Sequence, residues 1–220
     1  MKSLRIFSFI VFTFVYGNLY SQNSVGFKGG FTYAWPEYGS IELPEDAETH
    51  IEGFNFSIFY FYNFHKNWAI GVAPGYIKRG AACFPGFQPV FIGDSKVFLN
   101  YIEFPVLVQK SFVLSRNGLR LNSSLGYGLS KLMSAFVHEE IDGSAEKPNV
   151  SRIEVDSDNI GSFNKYDHGA YFNLGLPYSL NEKHSIFIES SFYYGLKDYD
   201  KLSTSKNRSF NLNVGYSFFL

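Results

Sequence analysis

Large apolar residues alternate with small or polar ones over segments about a dozen residues long, and this pattern constrains the fold more than any other feature. In the last segment Phe210, Leu212, Val214, Tyr216, Phe218 and Leu220 alternate with Asn211, Asn213, Gly215, Ser217 and Phe219. Successive side chains of a strand point to opposite faces, so a period of two defines a strand with one apolar face. Ile51–Asn63, Leu119–Lys131, His168–Leu180 and Ser185–Lys197 repeat the pattern, and Val25–Trp35, Trp68–Arg79 and Val97–Phe112 carry it less cleanly. The spacing predicts eight strands of about 11–15 residues. Soluble strands average about 5–6 residues, whereas a strand that crosses a membrane in a barrel needs about 9–11.

The connections point the same way. Pro36 to His50 is long and Phe64 to Asn67 is short. Gly80–Lys96 is long, Leu114–Gly118 short, Leu132–Asp167 very long, Asn181–His184 short and Asp198–Asn207 intermediate. Up-and-down membrane barrels have short periplasmic turns and longer external loops. The expected fold is therefore all-β: an eight-stranded antiparallel up-and-down transmembrane β-barrel with both termini periplasmic. Composition agrees. At 45% hydrophobic and 18% charged the chain is no disordered polymer. A net charge of -1 gives no basic surface for nucleic acid. The single cysteine, Cys83, has no partner for an intrachain disulfide. A mean hydropathy of -0.08 is too low for a bundle of membrane helices, but suits a barrel whose inward residues are polar.

Residues 1–22 read as an export signal, leaving 23–220 as one barrel domain. Lys2 and Arg5 precede an eleven-residue uncharged run, Ile6 to Tyr16, followed by Gly17-Asn18-Leu19-Tyr20-Ser21-Gln22. That is the basic, apolar and cleavage-zone order of a secretory signal, and the run is too short to span a bilayer as a helix.

Three stretches carry a family likeness: Gly26-Phe27-Lys28-Gly29-Gly30-Phe31, Tyr101-Ile102-Glu103-Phe104-Pro105-Val106-Leu107-Val108, and the aromatic end Gly215-Tyr216-Ser217-Phe218-Phe219-Leu220. Together they resemble the PorT-like outer-membrane β-barrel proteins of Bacteroidetes. The resemblance implies an outer-membrane location in a Gram-negative envelope and, for some members, a link to protein secretion.

Parity sorts the candidate site residues. Lys28, Glu103, Arg120 and Glu189 fall on the inward phase with Asn55, Tyr101, Asn173, Asn211 and Asn213. The interior of an eight-stranded barrel is just wide enough for side chains to fill it. Buried charges there must pair, because an unpaired one is costly. These four are expected to form a lumen ion-pair network that plugs the bore. Lys78, Lys96, Lys131 and Arg208 follow the outward phase at the external ends of their strands, where they are expected to meet headgroup or lipopolysaccharide phosphates. Trp35 and Tyr33 at one end and Trp68 at the other are expected in aromatic girdles.

The expected external loops are acidic. Residues 36–50 hold five acids without a Lys or Arg, and residues 133–167 hold eight acids against three bases, so thirteen of the 20 acids lie there. A hydrated surface follows, with loop 133–167 the expected contact for a protein partner. Asp156-Ser157-Asp158-Asn159-Ile160-Gly161 departs from an EF-hand loop at Ile160 and lacks the closing Glu. No two of His50, His65, His138, His168 and His184 have metal-ligand spacing. No catalytic residue, metal or cofactor is expected. The expected role is structural or interactive. The alternatives are an outer-leaflet lipid-modifying enzyme built on His138 or His168 with Ser130, Ser134 or Ser162, and a soluble periplasmic β-barrel that binds a small ligand.

Overall fold

Ten β-segments form one antiparallel ring in a computed structural model that describes residues 23–38, 50–82, 93–115, 119–141, 149–153, 163–199, 201 and 204–220. They are β1 (Ser24–Tyr38), β2 (Ile51–His65), β3 (Trp68–Val72), β4 (Gly75–Ala82), β5 (Gly93–Val113), β6 (Arg120–Ile141), β7 (Asn149–Ile153), β8 (Tyr166–Ser179), β9 (His184–Asp198) and β10 (Ser205–Phe219). The expected signal segment 1–22 lies outside the described residues.

Eight staves make the ring. β1 pairs with β2 on one side and with β10 on the other, from Ser24 opposite Phe219 to Tyr38 opposite Ser205. β10, β9, β8 and β6 follow in order, and pairing of β6 with β5 completes the circuit through β3 and β4 back to β2. β3 and β4 are two parts of one stave. Tyr60 faces Val72 and Ser57 faces Gly75, so the register against β2 does not slip across the break. The interruption is Ala73-Pro74, where proline has no N–H to give the ladder. Neighbouring hydrogen bonds carry on through it, from Ile58 N–H to the Pro74 carbonyl (3.0 Å) and from Ala73 N–H to the Pro105 carbonyl (3.1 Å). Closure matters because an unpaired backbone group in hydrocarbon costs several kcal/mol.

The wall is inverted relative to a soluble protein. Phe54 is 58% exposed, Leu125 63% and Val214 65%, all facing out. Their inward neighbours Asn55, Ser124 and Asn213 are buried. Large apolar residues cover the outside of every stave, an expanse that an aqueous protein would not leave uncovered. This disfavours the soluble alternative.

Two expectations need correction. β5 and β6 have 21 and 22 residues, longer than the expected range. The connection from Leu132 is not all loop: β6 runs on to Ile141, and β7 pairs back onto it with Ala135 opposite Ile153. The sequence pattern hid this because a bulge lies there. Asn100 faces Ser134, but Tyr101 faces Leu132, which leaves Met133 as an extra residue on β6. One extra residue breaks the two-residue period by which a strand is read.

Gly80 holds a backbone conformation other residues resist. Its φ is 144°, and a Cβ there would lie 1.9 Å from the Val97 carbonyl oxygen. Gly80→Ala is expected to destabilise the barrel by about 1–3 kcal/mol. The measurement is the urea midpoint at which the compact band of unheated protein is lost on a gel, and an unchanged midpoint would refute the strain.

Candidate functional site in the barrel interior

The interior is a column of polar side chains centred on Arg79, which projects from β4 and is fully buried. Its Nη2 donates to Glu103 Oε2 on β5 at 2.7 Å and to Tyr171 Oη on β8 at 3.3 Å. Tyr171 in turn donates to the same Glu103 oxygen at 2.7 Å. Nε and Nη1 reach Ser209 and Ser130 at 3.4 and 3.5 Å. The guanidinium lies 3.8 Å from the ring centroid of Tyr193 on β9. One cation thus engages five staves, with hydrogen bonds and cation–π contact replacing the water it has lost.

Asp167 stands beside this layer. It is 1% exposed, accepts the His168 N–H at 2.7 Å and accepts Asn207 Nδ2 at 2.9 Å. Asn207 also donates to Tyr101 Oη at 3.3 Å. Toward the long connections an apolar cluster of Ile77, Val97, Leu99, Leu132, Phe163 and Tyr199 packs over the charged layer.

Lys28 and Glu189 form a second ion pair nearer the short turns. Between the two pairs lies a chamber of about 20 Å³ lined by Ser57, Asn211 and Asn213 among others. Ser57 Oγ, Asn211 Oδ1 and Asn213 Oδ1 are buried without a hydrogen-bond partner. The space is about that needed by one water. Below Lys28 and Glu189 a cavity of about 500 Å³ opens at the short-turn end.

The structure redistributes the four expected lumen residues. Lys28 is with Glu189, and Glu103 is with Arg79 rather than with either expected base. Arg120 joins neither pair. It begins β6 at the mouth of the short-turn cavity and is exposed to solvent, which removes any need for a buried counter-charge. Sequence reasoning missed Arg79 and Asp167. The signal for Arg79 was its place beside outward Lys78, since adjacent strand residues face opposite ways. Asp167 was counted with the loop acids although it starts the inward set of β8.

The outward cations divide into a group and a solitary member. Lys78, Lys96 and Lys131 lie on the adjacent staves β4, β5 and β6. Lys78 Nζ sits 4.0 Å from the Phe98 ring centroid, and Lys131 is exposed opposite Tyr166. Between them runs an outward polar chain that sequence reasoning also missed. Tyr76 Oη donates to Asn100 Oδ1 at 2.7 Å, and Asn100 Nδ2 donates to Ser134 Oγ at 2.8 Å. Arg208 is across the barrel on β10, bonded to Glu37 at 2.5 Å and lying 4.8 Å from the Tyr194 ring centroid. Trp35 and Tyr33 pack together at 5.7 Å near that end, and Trp68 lies 5.0 Å from Lys110 Nζ at the other.

The histidine–serine pairs considered for catalysis are not assembled among the described side chains. His168 faces outward against Tyr127, with ring centroids 5.7 Å apart, while Ser130 faces inward to Arg79. Ser134 is bonded to Asn100. The side chain of His138, Ser162 and the Asp156–Gly161 stretch lie outside the described residues.

A closed eight-stave ring, apolar outside and polar within, defines a membrane-spanning β-barrel of the outer-membrane type. The chain belongs to the outer membrane protein beta-barrel domain family, whose profile matches residues 20–201. Its fold is similar to that of the outer membrane protein OprG from Pseudomonas aeruginosa, at 11% identity and a TM-score of 0.50 over 91% of this chain and 97% of that one. Neisserial surface protein A is similar at 14% identity and a TM-score of 0.46, covering 90% and 97%. Ail, the attachment invasion locus protein of Yersinia pestis, is similar at 15% and 0.40, covering 90% and 99%. No curated protein matches the chain.

Arg79→Ala would leave Glu103 buried without its cation. It is expected to destabilise the barrel by about 3–5 kcal/mol. The double substitution Arg79→Met with Glu103→Leu removes both charges and is expected to recover much of that loss. Urea unfolding in lipid vesicles reads both, and a double variant no more stable than Arg79→Ala would refute the ion-pair account.

Proposed function

We propose that this outer-membrane barrel belongs with the PorT-like proteins, passes no solute through its bore, and acts by contact at its long-loop end. In this reading residues 1–22 are removed on export, both termini are periplasmic, and residues 133–167 meet a protein partner in secretion or surface organisation. The observation that carries it is the buried layer of Arg79, Tyr101 and Tyr193, closed over by Leu99, Leu132 and Phe163. A bore closed by this layer of tied side chains leaves the outer ends of the staves as the working surface. The hairpin of β6 and β7 extends that surface beyond the ring, as a contact element would require.

The test has two arms. Purified protein in planar bilayers is expected to give no conductance steps, and steady ion steps would overturn the closed bore. After mild detergent extraction a protein partner is expected to co-purify with the full chain and to be lost when residues 142–148 are replaced by a short Gly-Ser link. A clean monomer from both chains would overturn the contact role.

The outward cations are proposed to hold lipopolysaccharide phosphates. Lys78 and Lys131 flank Tyr76, Asn100 and Ser134 on one continuous face of the wall, a polar patch suited to headgroup depth rather than hydrocarbon. Arg208 is the weaker candidate, since Glu37 already neutralises it. A basic residue near an anionic membrane surface contributes about 1 kcal/mol. Lys78→Gln with Lys131→Gln is therefore expected to weaken lipopolysaccharide binding to the detergent-solubilised barrel by roughly tenfold or more. An unchanged binding isotherm would reduce these lysines to snorkelling side chains.

A further inference from the structure

We propose that the cavity at the short-turn end is a binding site for a small carboxylated, hydroxyl-rich solute of about the size of a hexuronic acid. The space is about 500 Å³ and opens to solvent through the ring of short turns. Sites for small ligands typically run from about 300 to 1,000 Å³.

The charge of the lining selects an anion. Lys28, Lys66 and Arg120 face this space against a single carboxylate, Glu189, which Lys28 already engages. Arg120 has no ion-pair partner among the described residues, and its planar guanidinium suits a carboxylate held by two parallel hydrogen bonds. The polar lining selects a ligand with many hydrogen-bonding groups. Asn63, Gln109 and Asn122 line the walls. Ser111 donates to Asn122 Oδ1 at 2.8 Å, which leaves the Asn122 amide hydrogens aimed elsewhere. An apolar ligand would strip water from these groups and return no hydrogen bonds.

The aromatic lining gives a ring a face to lie against. Phe59, Phe61 and Phe187 close the inner part of the cavity, and Phe59 and Phe187 pack at 5.6 Å. An inorganic anion would use Arg120 and waste both the amides and the rings. A neutral sugar would forgo the charge-assisted hydrogen bonds that Arg120 can give a carboxylate. A carboxylated sugar uses all three sets. The inference rests on the fold and not on which way the barrel faces.

The full chain in lipid nanodiscs, where both barrel ends meet solution, is titrated by calorimetry with glucuronate, glucose and inorganic phosphate. Glucuronate is expected to bind saturably, with glucose and phosphate at least about tenfold weaker. Arg120→Gln is expected to weaken glucuronate by about tenfold or more while the folded gel band is retained. Lys110→Gln, at the same end of the barrel beside Trp68 and outside the cavity lining, is expected to leave it unchanged. Absence of saturable glucuronate binding, equal binding of glucose or phosphate, or an Arg120→Gln variant that binds like the parent would each overturn the proposal.

Discussion

The ladder between β1 and β10 is the interaction on which the rest depends. Without it the sheet has two edges, each presenting a row of N–H and C=O groups to hydrocarbon that offers no partner. Fifteen residue pairs, from Ser24–Phe219 to Tyr38–Ser205, join the first stave to the last. Because those staves lie at opposite ends of the chain, closure is the contact of longest sequence separation and needs every intervening pair in register. The register holds through Ala73-Pro74, and the irregularities the ring does admit, at Asn63–His65, Lys206–Arg208 and Met133, are each local.

Closure then dictates the chemistry inside. Once the apolar phase faces lipid, the opposite phase must share a narrow bore that side chains can largely fill. Small residues supply most of it: Ser191, Ser209, Asn173 and Asn213 are each nearly or fully buried. The charges that remain are bound to one another across the bore, Arg79 to Glu103 and Lys28 to Glu189. Such pairs gain little net stability over apolar residues of the same size, because desolvation offsets their attraction. Their effect lies in joining distant staves. Lys28 and Glu189 are 161 residues apart, and Arg79 links β4 to the chain's last stave through Ser209.

This separation explains what could be read from the sequence and what could not. The eight staves, their alternation and the order of long and short connections depend on neighbours in sequence, so they were legible. Facing was legible wherever the period held, and it failed after Leu132, where the bulge shifts it. Partners were less accessible, because parity says that a charge points inward but not how far along the bore it lies. Barrel shear decides that. It sets Glu103 at the level of Arg79, and leaves Arg120, on the same phase, at the open mouth. Asp167 was misassigned for a related reason: an acid beside an acidic loop looks like part of it until the strand start is known.

The two halves of the bore consequently have different properties, although one alternation produced both. Toward the long connections the inward residues are large, Tyr101, Leu99, Leu132 and Phe163, and no solvent reaches them. Toward the short turns serines and amides share the lining with Phe59, Phe61 and Phe187, and the volume left between them is the cavity below Lys28 and Glu189. A binary pattern of apolar and polar residues would permit either filling. Side-chain size along the inward phase makes the difference, so a barrel with one packed half and one hollow half follows from residue volumes at eight staves rather than from any local motif.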